Sequence, residues 1–193
     1  MIKLHWPALA LGAFGLVGFG AIQAEAAITV IGKGLARQCY EMSEAATSPV
    51  QGIDICTQAL NEEPMPIGDR ASTYVNRGTL RVLLRDYSGA LRDFDKGMSI
   101  DPTLGEAYVD HGAAMIGLKR YDEALDYVNK GIELGAHRPH IAYYNRAIAH
   151  EELGRIREAY EDYKKALELA PNFYAASEQL QRFKVVSTKA NGT

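Results

Sequence analysis

Tyr74-Val75-Asn76-Arg77-Gly78 returns as Tyr108-Val109-Asp110-His111-Gly112 and again as Tyr143-Tyr144-Asn145-Arg146-Ala147, at steps of 34 residues (74 to 108) and 35 residues (108 to 143). The text after each copy also matches. Tyr87, Ala90, Phe94, Gly97 and Pro102 follow the first; Tyr121, Ala124, Val128 and Gly131 follow the second; Ala159, Tyr163, Ala166 and Pro171 follow the third. A fixed period of this size marks a chain built by stacking copies of one small unit, so the architecture is decided before any single element is assigned.

The spacing resembles the tetratricopeptide repeat, whose pattern runs aromatic-x2-Leu-Gly-x2-Tyr, then Ala-x3-Phe, then Pro. The resemblance places units at 71–104, 105–139 and 140–173 and implies an all-α solenoid of antiparallel helix pairs. Gly78, Gly112 or Ala147 on the first helix of a pair then meets Ala90, Ala124 or Ala159 on the second, and small residues on both faces set a short interhelical distance. Asp101-Pro102 and Ala170-Pro171 end second helices, because proline cannot donate to a helix and constrains the residue before it. The second unit departs from the pattern: it has Ala136 and then Pro139 in place of the closing proline, with one inserted residue. Where the family carries Leu, this chain has Arg77, His111 and Arg146, and sixteen residues on stand Asp93, Tyr127 and Asp162. Arg and Asp come together in the first and third units and are both missing from the second, which points to an ion pair between the helices of a unit. Two independently solvated charges are the other reading. Losing one partner of a partly buried pair costs on the order of 3 kcal/mol.

A degenerate helix pair is expected over 36–66, with Ala59 and Pro64 in the repeat's Ala and Pro places. The chain's two cysteines, Cys39 and Cys56, fall in it. In an exported chain an even count reads as a disulfide, and closing this loop stabilises by roughly 3 kcal/mol. An end unit has one neighbour only, so a staple is most useful there. At the other end Phe173, Ala176, Leu180 and Phe183 recur at helical steps, predicting a capping helix over 174–186 and a mobile tail over 187–193.

Export itself is read from the start of the chain. Lys3 precedes an uncharged apolar run from Trp6 to Ile22, and Ala24-Glu25-Ala26 fits a small-x-small cleavage site. This predicts a signal peptide over 1–26, an extended segment over 27–35 and a periplasmic destination in a Gram-negative cell. An uncleaved anchor is the alternative, since the run sits at the lower edge of the roughly 17–25 residues that cross a bilayer. The 193 residues are 47% apolar and 23% charged, enough for one packed unit, and the net charge of −3 without basic runs offers nothing to a row of phosphates.

The family resemblance places function on the concave face, lined by the first helix of each pair. The positions translate to Val75, Asn76, Thr79 and Val82; Val109, Asp110, Ala113 and Ile116; and Tyr144, Asn145 and Ile148. Ser72, Glu106, Ile141 and Glu151 complete the wall. Asn76, Asp110 and Asn145 form a ladder at one repeat position, and an amide that donates and accepts suits a peptide backbone. Polar residues bonding within the helix pair, and Val75, Val109, Tyr144 and Ile148 as ordinary core, are the competing readings. The Lys and Arg set with which some relatives grip a C-terminal carboxylate is missing: Val75, Thr79, Asp110, Ile141 and Asn145 stand there. His137 and His140 are spaced H-x2-H with no further ligands to complete a tetrahedral metal site. No nucleophile elbow, catalytic triad or phosphate loop is present. The expected function is therefore a protein-binding scaffold without cofactor, metal, nucleic acid or catalysis. The alternative is a structural subunit of a cell-envelope assembly, docking by its convex or end surfaces.

Overall fold

Between residues 34 and 183 the chain is a run of nine helices in the computed structural model, which describes residues 2–4, 34–183 and 185–187. The expected signal peptide and extended segment lie outside the described residues except for 2–4 and the last two positions of the segment. The expected tail lies outside them except for Ser187. A short strand β1 (Ile2–Leu4) pairs antiparallel with β2 (Val185–Ser187).

Helices α1 (Leu35–Ala45) and α2 (Pro49–Glu62) form the first pair. Three pairs follow: α3 (Ile67–Leu83) with α4 (Tyr87–Ile100), α5 (Gly105–Gly117) with α6 (Tyr121–Glu133), and α7 (Pro139–Glu152) with α8 (Ile156–Leu169). Each first helix also packs against the first helix of the next pair, which generates the stack. Helix α3 begins at Ile67, ahead of the repeat pattern, because Pro66 at its N-cap starts the ladder by accepting from the Arg70 N–H.

The close helix approaches fall at the small residues. A Cβ on Gly78 would lie 2.5 Å from the Phe94 ring, and one on Gly112 would lie 2.4 Å from Val128 Cγ2. In the third pair Ala147, Ala159 and Tyr163 are fully buried together. The turns between first and second helices at Arg85, Lys119 and Gly154 share a left-handed residue, with φ of 60°, 62° and 72°. Glycine takes that conformation without strain; Arg85 and Lys119 adopt it as single residues.

Arginine and aspartate join in both units that carry them. Arg77 grips Asp93 with two bonds of 3.0 and 2.7 Å, and Arg146 grips Asp162 with 2.7 and 2.8 Å. Each arginine also reaches back to the preceding pair, Arg77 to Thr57 Oγ1 at 3.0 Å and Arg146 to Asn129 Oδ1 at 2.8 Å. Arg81 adds a third bond to Asp93 at 2.6 Å. In the unit lacking the pair, the His111 ring stacks on Tyr127 with centroids 3.8 Å apart. Cys39 and Cys56 are joined as a disulfide between α1 and α2.

The capping helix is shorter than expected. Helix α9 runs Tyr174–Leu180, and the next turn tightens: the Arg182 and Phe183 amides donate to Gln179 and Leu180 carbonyls three residues back. That turn brings Phe183 onto the Tyr160 and Tyr163 rings, at 5.8 and 5.9 Å. Aromatic packing thus ends the helix where periodicity alone extends it to 186.

Candidate partner-binding groove

The groove wall is carried by α3, α5 and α7, whose residues divide into two groups by what they touch. Val75 and Val109 face the second helix of their own pair: a Cβ on Gly97 would lie 2.7 Å from Val75 Cγ2, and one on Gly131 would lie 2.5 Å from Val109 Cγ2. Tyr144 packs on Tyr163 and Phe173, with centroids 5.6 and 5.1 Å away, and burial lifts its hydroxyl to about 12. These three are core residues, one of the two roles open to them in the sequence. Val82 shares a buried cluster with Ala114 of the next pair, and Ile116 shares one with Ala149, so both seal junctions between first helices. Ile148 is half-buried against the Tyr144–Tyr163 cluster and the Ile116–Ala149 cluster, and Ala113 is fully buried.

The second group is polar. Asn76, Asp110 and Asn145 are all 0% exposed. Thr79 donates to Asp110 Oδ2 at 2.8 Å and so links α3 to α5 across the wall. Asn76 lies about one turn before Thr79 on α3. Neither Oδ1 nor Nδ2 of Asn76 has a hydrogen-bond partner. A buried amide with both ends unbonded is costly, and folded proteins rarely keep one without a use for it.

The flanking wall acids are held by the protein. Glu106, buried on α5, accepts from the His137 backbone amide at 2.6 Å and also pairs with the His137 ring. Glu151 accepts from the Tyr163 hydroxyl at 2.9 Å and from Arg182 at 2.5 Å, which ties the capping turn to α7. Neither arrangement was legible in the sequence, since each joins positions about a repeat apart with no motif to announce it. His137 and His140 diverge: His140 meets the Phe173 ring edge, and burial lowers its imidazole. Among the described residues, no three His, Cys, Asp or Glu side chains gather where a metal ion could be held. No helix among them is long and apolar enough to cross a membrane.

Residues 140–173 match the family model of the tetratricopeptide repeat. Heat shock protein STI1 of Saccharomyces cerevisiae is 32% identical over 114 residues, which cover 58% of this chain and 19% of that protein. The chain thus spans about a fifth to just over a quarter of the length of the curated relatives it matches, the Dictyostelium discoideum STIP1 homolog among them at 21%. Among solved structures, the first repeat domain of Spaghetti (RPAP3) bound to the HSP90 peptide SRMEEVD is 27% identical, with a TM-score of 0.56 over 60% of this chain and 90% of that one. MamA from Desulfovibrio magneticus shares the fold at a TM-score of 0.59, with 21% identity over 78% of this chain and 84% of that one.

Proposed function

We propose that this chain, a member of the tetratricopeptide-repeat family, is an exported scaffold whose concave groove holds an extended segment of another polypeptide and performs no catalysis. The carrying observation is Asn76, a buried amide on the groove wall whose donor and acceptor are both unbonded. The amide is closed off in the free protein, so in this reading the wall parts on capture and a peptide backbone then supplies one carbonyl and one amide to it without any side chain being read. The solved relative with a bound HSP90 peptide supports the use of this fold for peptide capture. The Cys39–Cys56 disulfide supports a destination in an oxidising compartment, which for this reading is the periplasm.

Asn76→Ala separates binding from folding. Removing an unbonded buried amide leaves stability unchanged or slightly higher, whereas capture of peptides weakens by about tenfold, the worth of one to two hydrogen bonds. Thermal melts beside a peptide-array binding assay read both quantities. Equal loss of melting temperature and capture would make Asn76 a structural residue and remove the basis of the proposal.

A further inference from the structure

We infer that the first helix pair is a redox-sensitive end of the scaffold: a dithiol that reduces Cys39–Cys56 releases α1 from the stack and leaves α2 to α8 folded. The sparse burial of α1 carries this. Of its 11 residues only Ala36, Cys39 and Ser43 are buried, whereas α3 buries nine and α5 eleven. One of those three is the cysteine itself. Its N-cap, Gly34, makes no side-chain hydrogen bond, and the helix has no acid in its first turn and no base in its last. Isolated helices shorter than about 12–15 residues are marginal in water, so α1 stays helical only while it is docked.

Few other bonds hold it. The Ala36 amide donates to Glu63 Oε2 at 2.7 Å, and Glu44 accepts from Arg138 at 2.6 Å in a part-exposed pair that adds little. The disulfide therefore fixes α1 on α2. Helix α2 has its own hold on α3: Arg77 donates to Thr57 Oγ1 at 3.0 Å, Arg70 donates to the Leu60 carbonyl at 2.9 Å, and Gly52 lies against Leu80. Both cysteines are fully buried, so a reductant reaches them as α1 frays. A thiolate of the dithiol attacks one sulfur to form a mixed disulfide, and its second thiol then displaces the remaining cysteine. Two electrons and two protons pass to Cys39 and Cys56, which become thiols, and the dithiol becomes a disulfide. Release lifts Cys39 and Met42 off Leu80 and parts Glu44 from Arg138. The oxidised chain is the complete scaffold; the reduced chain lacks one helix of the stack and exposes the Leu80 face of α3.

Hydrogen exchange of the full chain before and after treatment with dithiothreitol tests this. Amides of α1 are expected to exchange about hundredfold faster once reduced, the factor that closing a loop of this size supplies, while those of α2 to α8 stay within about threefold. Reoxidation restores the slow rates. Cys39→Ala combined with Cys56→Ala reproduces the reduced pattern without any reagent; should that variant fold poorly, the reduced native chain decides. Slow exchange of α1 after reduction overturns the inference and makes the bond a brace on a helix that docks by itself. Exchange that quickens equally in α2 and beyond overturns it too, because the disulfide then supports the whole stack. So does a bond that dithiothreitol opens only when the entire chain unfolds.

Discussion

His111 shows what one exchanged residue does to a repeat. It stands where Arg77 and Arg146 stand in the other units, stacked on Tyr127 and 2% exposed, with its Nε2 3.4 Å from Asp95. Burial pulls its imidazole from 6.5 down to about 4, outweighing the opposite pull of Asp95. With the folded value below the unfolded one, the unfolded chain takes up the proton first as pH falls. The stabilisation from a neutral His111 is thus complete above about 6.5 and is lost between there and 4. Denaturant midpoints from pH 7 to pH 4 check this: the native protein should lose about 3 kcal/mol more than His111→Phe, which keeps the ring and removes the proton site. Parallel curves would place the imidazole in solvent. Asp93 is the counterpart in the first unit, where one buried carboxylate receives two arginines and so holds the pair together.

At the scale of elements, the helices were legible because the spacing of small and aromatic residues dictates them. The repeat pattern set Gly78 and Gly112 opposite Ala90 and Ala124; the nearest side chains are instead Phe94 and Val128, one helical turn further on and at the same sixteen-residue offset as the ion pairs. The disulfide followed from the cysteine count. What stayed hidden was contact between units: Thr57 and Asn129 behind the arginines, and the turn that ends α9 on two tyrosines. Periodicity speaks within a unit, and these bonds cross its boundary. The same logic limited the groove, since position in a repeat does not say whether Val75 or Val109 faces a visitor or its own second helix. Gly112→Ala tests how tight the helix pairing is. The added methyl meets Val128 Cγ2 at 2.4 Å and the Ala124 carbonyl at 3.1 Å, so a loss of about 1–3 kcal/mol is expected despite the better helix propensity of alanine. Ala147 holds the equivalent place in the third unit, opposite Tyr163. A neutral or stabilising change at Gly112, read from urea unfolding, would mean that the backbone there yields.

For the whole molecule, a stack of helix pairs is expected to be held by contacts between neighbours alone, with stability a sum of unit and interface contributions. The packing of α1 on α2 and α3, of α3 on α5 and of α5 on α7 follows that scheme. One ion pair does not. Arg138 at the N-cap of α7 donates to Glu44 near the C-terminal end of α1 at 2.6 Å, across 94 positions of sequence. The contact joins the first helix pair to the last full one. The turn with the inserted residue carries both Arg138 and the His137 bond to Glu106. Both side chains remain about a third exposed, at 32% and 40%, which caps the energy of the pair. A double-mutant cycle with Glu44→Gln and Arg138→Gln should give a coupling of about 0.5–1 kcal/mol that fades toward about 1 M salt. Hydrogen exchange should then rise at the end of α1 and the start of α7 together, although the two are not neighbours in the stack. Zero coupling, or faster exchange at one end only, would return the molecule to a purely nearest-neighbour solenoid whose curvature is set by its interfaces alone.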